Sequence, residues 1–387
     1  MLKVKLMNKI AKVGTDILSK EKYEVGTDII DEDAVMVRSA ALHDIPFSPN
    51  LRAIARCGAG VNNIPVDKCT EKGIVVFNTA GANANAVKEL ALATLVLSSR
   101  DVIGAVKWTE TLAGTENVAK AVEAGKSAFV GHELAGKTLG VIGLGAIGGM
   151  VANAAISLGM SVLGYDPYIT AKAAWSLAPS VKQAADYAEI FKSCDYITLH
   201  VPATPQTKNM INEKAIAQMK DGARIINLSR ADLVDATAVK SGLQKGKLAA
   251  YVTDFPTEET VGVKGIIAIP HLGASTVESE DHCAIMAAQQ LDEFLTCGNI
   301  KGSVNFPSVS VPHSEKPRVC IMNKNIPNML SQITAAFSAE NINIENLANG
   351  SKGEVAYTIV ETNVAASGEI ISKLQAIDGV FGVRIFE

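Results

Sequence analysis

"KTLGVIGLGAIGGMVANAAISLGMSVLGYDPY", residues 137–168, sets out a strand, a glycine turn, a helix and a second strand in that order. Gly143, Gly145 and Gly148 stand as G-x-G-x-x-G between the first strand and the helix. The first glycine of such a turn permits the tight bend, the second lets backbone approach a pyrophosphate, and the third lets helix and strand pack closely. A phosphate then rests on the positive helix N-terminus, which here begins at Ala146 and Ile147. The second strand ends in Asp166, at the roughly 20-residue distance from which a carboxylate bonds ribose hydroxyls. "PYIT" follows, offering a 2′-phosphate no cation, so the stretch predicts NAD rather than NADP. Glycines alone would also suit a tight helix start without a ligand; the placed acid separates the two readings.

Working outward, further strands are read at "YITLHV" (196–201), "ARIINLS" (223–229) and "LAAYVTD" (248–254), with helical segments between them. The pattern is a doubly wound parallel sheet. "IIAIPHLGAST" (266–276) reads as a short strand covered on both faces, leaving His271 where the chain exits the sheet. Upstream, "AVMVRS" (34–39), "LRAIARCG" (51–58) and "GIVVFN" (73–78) predict a smaller parallel sheet, with "MLKVKLMNKI" as its edge strand. Residues 85–107 carry apolar positions at helical spacing and are read as a helix bridging two domains. "STVESEDHCAIMAAQQLDEFLTCGN" (275–299) is a helix with a Ser or Thr cap and acids in its first turn, able to return the chain to the first domain.

"KGSVNFPSVSVPHSEKP" (301–317) reads as a linker from its prolines and serines. Residues 317–387 then run βαββαβ, the ferredoxin-like order. The expected fold is α/β: two Rossmann-like doubly wound parallel-sheet domains and a ferredoxin-like C-terminal domain. Expected boundaries are 1–94 with 275–305, 95–274, and 317–387.

At 387 residues the chain exceeds the roughly 250–300 residues that one core serves. A formal charge of −4 argues against nucleic acid or an anionic membrane surface as partner, so an anionic substrate needs local cations. The six cysteines are scattered without C-x-x-C spacing, which predicts buried free thiols and no metal site. With no apolar run near the ~20 residues of a membrane span and no signal-peptide core at the start, the expected location is the cytoplasm.

"VIGLGAIG", "INLSRADLVDATAV" and "PHLGAST", with "VRSA" and "RCGAGVNN" before them, resemble the D-isomer-specific 2-hydroxyacid dehydrogenases. The resemblance implies a catalytic trio of Arg230, Glu258 and His271: His271 takes the hydroxyl proton, Arg230 grips the substrate carboxylate, and Glu258 orients the imidazole and raises its pKa. It also implies cofactor contacts from His200, Leu228, Ser229, Thr253, Asp254 and Gly273. Substrate anions fall to Arg38, Ser39, Asn83 and the backbone around Ala59 and Gly60, with Arg56 and Lys88 as lesser candidates. An ion pair of Arg38 with Asp31 or Asp33 is the alternative for that cation.

With the C-terminal unit added, the resemblance implies oxidation of D-3-phosphoglycerate by NAD, the entry to serine synthesis, in a homo-oligomer, a dimer or tetramer. That unit is similar to ACT domains, small-ligand regulatory modules, which makes L-serine a candidate effector with Asn325 and Asn343 as contacts; a dimerisation module without effector is the alternative. Asn328 stands where such modules carry Gly, and Asn tolerates the left-handed backbone that turn needs. Thr253 occupies the usual Asp position, with Asp254 one residue later, and Arg230-Ala231 replaces the usual Arg-Gly. Two further readings stay open: a dehydrogenase of glycerate or lactate, and an NAD-responsive binding protein without turnover.

Overall fold

The computed structural model describes residues 1–312 and 314–386. They form two compact units, 1–83 with 277–387 and 84–276. His313 and Glu387, in the stretches read as linker and as last domain, lie outside the described residues.

The unit spanning 84–276 is built on seven parallel strands: β6 (Thr138–Ile142), β7 (Ser161–Tyr165), β8 (Lys182–Gln183), β9 (Tyr196–Leu199), β10 (Ala223–Asn227), β11 (Leu248–Thr253) and β12 (Ile266–Ala268). Their order is β12-β11-β10-β9-β6-β7-β8, so the topological switch lies between β6 and β9, where open α/β sheets bind ligands at the strands' carboxyl ends. β9 is buried along its whole length, and β6 over all but its first residue, as expected of central strands covered on both faces. β12 departs from the expectation of a covered strand. It is the edge strand, with Ile266 and Ile267 half-buried and Ala268 exposed; an apolar run of three does not distinguish an edge covered on one side from an interior strand.

The region read as one bridging helix is two: Ala84–Ser99 and Val102–Glu110, the second capped by the Asp101 carboxylate accepting the Gly104 N–H. A side chain that accepts backbone N–H groups starts a new helix where it stands.

In the other unit, β1 (Leu2–Leu6), β2 (Tyr23–Gly26), β3 (Ala34–Val37), β4 (Ala53–Arg56) and β5 (Val75–Asn78) form a parallel sheet of order β2-β1-β3-β4-β5. The first strand is therefore internal. Tyr23–Gly26, four residues with one buried side chain, takes the edge instead. Helix Val277–Cys297 supplies Ala287, Leu291 and Phe294 to the core beneath this sheet.

The C-terminal strands β13 (Arg318–Lys324), β14 (Ile344–Lys352), β15 (Val355–Thr362) and β16 (Val380–Phe386) make an antiparallel sheet of order β14-β15-β13-β16, with helices Met329–Ala339 and Gly368–Gln375 between strands. Side chains alternate across a strand. Val319 and Ile321 accordingly meet Ile333, Phe337 and Leu374 of the two helices, while Cys320 and Met322 join the core that contains Phe294.

Residues 301–312 are not a free linker. Phe306 is buried in that same core, and Asn305 accepts the Val76 N–H (2.8 Å) and donates to the Ile74 carbonyl (2.9 Å). Prolines and polar residues suit a packed extended segment as well as a solvated one. At its end Arg318 pairs with Glu361 (2.9 Å), both buried, and donates to the Cys297 and Pro312 carbonyls. All six cysteines are buried and free.

Candidate active site

The cofactor and catalytic candidates of the unit spanning 84–276 end or follow parallel strands at their C-terminal side: Gly143 after β6, Asp166 after β7, His200 after β9, Ser229 and Arg230 after β10, Thr253 at the end of β11 with Asp254 next, and His271 after β12. Parallel pairing puts those ends on one edge of the sheet.

The glycine turn has the shape a dinucleotide needs. Gly143 has φ +89°, and a Cβ there would lie 2.5 Å from the His200 carbonyl oxygen. A Cβ at Gly148 would lie 1.9 Å from the Gly143 oxygen, so helix and turn touch backbone to backbone. Around Gly145, by contrast, an added Cβ meets nothing within 4 Å. That opening, at the start of helix Ala146–Ser157, is the cradle into which a pyrophosphate fits on the unpaired N–H groups of a first helical turn.

Asp166 braces the same turn. One carboxylate oxygen accepts the Leu144 N–H and the other the Tyr168 N–H, each at 2.9 Å. The residues present therefore fit NAD. His200 lies beside the turn with Nε2 2.9 Å from Thr198 Oγ1. Burial pushes its imidazole down to about 4, so it is neutral at pH 7 and offers no cation to a phosphate. Leu228 is buried in the core, which leaves only its backbone to meet a ligand.

Arg230 is positioned by Asn227, a residue that sequence reading passed over. The Asn227 amide oxygen accepts the N–H groups of Ser229 (3.1 Å) and Arg230 (3.3 Å), and its NH₂ donates to the Arg230 carbonyl (2.8 Å). Ser229 Oγ donates to the Leu199 carbonyl at 2.6 Å. The only signal of this support in the sequence is an Asn ending an apolar strand. Ala231 opens a short 3₁₀ turn and is absent from the positive-φ residues, so alanine in place of glycine costs no strain there. The Arg230 guanidinium is exposed and, among the described residues, has no carboxylate partner; NH1 donates to the Ser229 carbonyl at 2.6 Å.

His271 has φ +56°, a left-handed conformation that costs a non-glycine residue on the order of 1 kcal/mol or more and persists only where neighbours enforce it. Here its N–H donates to the Asp254 and Ile269 carbonyls, each at 3.0 Å, and its ring lies 4.8 Å from that of Phe255. Asp254 itself is buried. Its oxygens accept the N–H groups of Leu272 (2.7 Å) and Gly273 (2.8 Å). Burial drives its pKa up, against those bonds and the charge of His271.

Thr253 and Asp254 are both buried, with Thr253 Oγ1 accepting the Phe255 N–H at 3.1 Å and the Asp254 carboxylate bonded as described. Glu258 is exposed, and among the described residues no hydrogen bond or ion pair joins it to His271. The carboxylate in contact with the histidine's chain is Asp254.

In the other unit, Arg38 and Ser39 follow β3, Ala59 and Gly60 follow β4, and Asn83 lies beyond β5. Asn8 Oδ1 accepts three successive N–H groups, of Arg38, Ser39 and Ala40, at 2.9–3.1 Å. The Arg38 guanidinium pairs with Glu280 at 2.6 Å, and it is Arg52 that approaches Asp33. Neither Asp31 nor Asp33 is its partner, because the acid came from a helix remote in sequence. Lys88 lies 3.8 Å from its neighbour Glu89. In the C-terminal module, Asn328 is left-handed (φ +69°) before helix Met329–Ala339, as its turn requires. The Asn325 side chain donates to the Gly353 carbonyl at 3.1 Å, and the Asn343 N–H to Asn363 Oδ1 at 3.1 Å.

Residues 105–274 match the family model described as D-isomer specific 2-hydroxyacid dehydrogenase, NAD binding domain. The D-3-phosphoglycerate dehydrogenase of Haemophilus influenzae is 33% identical over 353 residues, which cover 88% of this chain and 82% of that one. This chain belongs to the D-isomer-specific 2-hydroxyacid dehydrogenases. Within that family, the D-3-phosphoglycerate dehydrogenase of Synechocystis is 35% identical over 82% of this chain, which spans only 58% of that relative's length. Among solved structures, the NAD⁺-bound 3-phosphoglycerate dehydrogenase of Entamoeba histolytica superposes with a TM-score of 0.62 at 28% identity, covering 79% of this chain and 98% of that one. As a 2-hydroxyacid dehydrogenase family member, the chain carries an NAD-binding domain. No helix among the described residues is long and apolar enough to cross a membrane.

Proposed function

We propose that the protein oxidises D-3-phosphoglycerate to 3-phosphohydroxypyruvate with NAD, the first step of phosphorylated serine synthesis, with His271 as base, Arg230 as carboxylate anchor and Glu258 as the acid that tunes the imidazole. NAD supplies the hydride acceptor. The observation that supports the reading is the placement, at the carboxyl ends of strands of one parallel sheet, of a guanidinium without a carboxylate partner and an imidazole whose ring, among the described residues, bonds no protein group. An oxidation at C2 breaks the C–H bond with its electron pair leaving as hydride to NAD, while the hydroxyl proton passes to a ring nitrogen of His271. Arg230 opposes the substrate carboxylate through its planar fork.

Glu258 is bonded to neither group in this structure; catalytic hydrogen bonds commonly tighten only in the Michaelis complex. Arg38, Ser39, Asn83 and the backbone at Ala59 and Gly60 are assigned to the substrate's phosphate end, where Arg38, released from Glu280, would supply the local positive charge that the chain's net charge does not.

The test is NADH formation from NAD with D-3-phosphoglycerate, D-glycerate and D-lactate in parallel. Preference for the phosphorylated substrate in kcat/KM supports the reading. Preference for an unphosphorylated acid moves the protein elsewhere in the family, and no turnover with any of them leaves a binding protein.

A further inference from the structure

We propose that Asp254 is a positioning residue that aims His271: its carboxylate, bonded to the two amides after the histidine, fixes the left-handed turn that presents the imidazole. The inference rests on the proposed role of His271 as base and adds the group that sets its direction.

Three consecutive backbone N–H groups converge on this one residue. His271 donates to the Asp254 carbonyl at 3.0 Å, Leu272 to Oδ1 at 2.7 Å and Gly273 to Oδ2 at 2.8 Å. A buried carboxylate without a cation is unfavourable unless its oxygens are satisfied. Here both are satisfied by the loop that carries His271, and Asp254 is 1% exposed, so it has no other employment.

The adjoining residues complete the brace. Thr253 Oγ1 holds the Phe255 N–H at 3.1 Å, and the Phe255 ring lies 4.8 Å from the imidazole. Gly273 fits the same scheme, since a Cβ there would approach Asp254 Oδ2 to 3.0 Å and push the carboxylate from its amides. Without the clamp, nothing else bonds the N–H groups of Leu272 and Gly273 among the described residues, and a histidine is free to relax to negative φ.

The experiment uses the full chain with Asp254→Ala, Asp254→Asn and Gly273→Ala, read in two ways. Amide hydrogen exchange over residues 271–273 needs no turnover, and steady-state NADH formation from D-3-phosphoglycerate separates kcat from KM for NAD. Asp254→Ala is expected to speed exchange of those amides and to lower kcat, each by about tenfold or more, the factor that ~1.4 kcal/mol represents, with KM for NAD within about twofold. Asp254→Asn keeps one acceptor oxygen and should fall between; Gly273→Ala should reproduce the kcat loss.

Wild-type exchange in Asp254→Ala overturns the proposal, and so does a loss confined to KM for NAD, which would make Asp254 a cofactor contact. If the alanine variant does not fold, the other two carry both readouts. A wild-type protein inert toward every hydroxy acid defeats the proposed function, while the exchange data still decide whether Asp254 clamps the loop.

Discussion

Arg38 and Glu280 meet at 2.6 Å, an arginine at the end of β3 against an acid in the first turn of helix Val277–Cys297. Both side chains are more than 40% exposed, and exposed pairs contribute little to stability. On the proposed reading a substrate dianion would compete with Glu280 for the guanidinium, and breaking the pair would cost little. Arg38→Ala is expected to raise KM for D-3-phosphoglycerate by roughly 10- to 100-fold, the range for a lost charge-assisted hydrogen bond, and to change KM for D-glycerate far less. Glu280→Gln should lower KM for the phosphorylated substrate by about twofold or more, since the competing carboxylate is gone. Equal effects of Arg38→Ala on both substrates would remove the phosphate role.

The glycine turn separates binding from folding. Because space is open around Gly145, Gly145→Ala should fold normally yet weaken NAD binding by about tenfold in titration calorimetry, since its methyl group occupies the cradle. Gly148→Ala drives a carbon against the Gly143 oxygen, an overpacking expected to lower stability by roughly 1–3 kcal/mol in urea denaturation. Unchanged NAD affinity in Gly145→Ala would show that the opening is not the pyrophosphate site.

His200 makes stability depend on pH in a direction that can be worked out. Burial lowers its folded-state pKa from 6.5 to about 4, so between these values the unfolded chain binds the proton and the folded chain does not. Its contribution is complete above pH ~6.5 and is lost progressively as pH falls toward ~4, by up to roughly 3 kcal/mol. His200→Gln keeps a polar group near Thr198 and removes the titration. Urea midpoints of the variant should fall less steeply than those of wild type across this window; identical slopes would contradict the half-buried neutral imidazole.

Much of the fold was legible in the residues because local signals agreed with tertiary packing. The span 137–168 gave strand, turn, helix and strand, and residues 317–387 gave the βαββαβ order, since alternation and turn residues there match what the packed structure buries. Tyr23–Gly26 was missed because four residues with one buried side chain carry almost no periodic signal. Residues 301–317 misled because hydrogen bonds such as that from the Val76 N–H to Asn305 link positions far apart in sequence.

The site divides in the same way. Resemblance to the family marked Arg230 and His271 as candidates, but the supports that hold them, Asn227 and Asp254, act through backbone bonds that no spacing announces. Asp254 stands in the sequence only as a neighbour of the usual Asp position. In the structure its carboxylate faces the chain just beyond His271, from β11 to the loop after β12.

The most direct test of the account is the turnover number of His271→Ala in NADH formation from D-3-phosphoglycerate at saturating NAD. Loss of a general base is expected to lower kcat by ~10²- to 10⁴-fold, with an unchanged melting profile and NAD affinity. A variant that keeps wild-type kcat would contradict the assignment of proton removal to this imidazole.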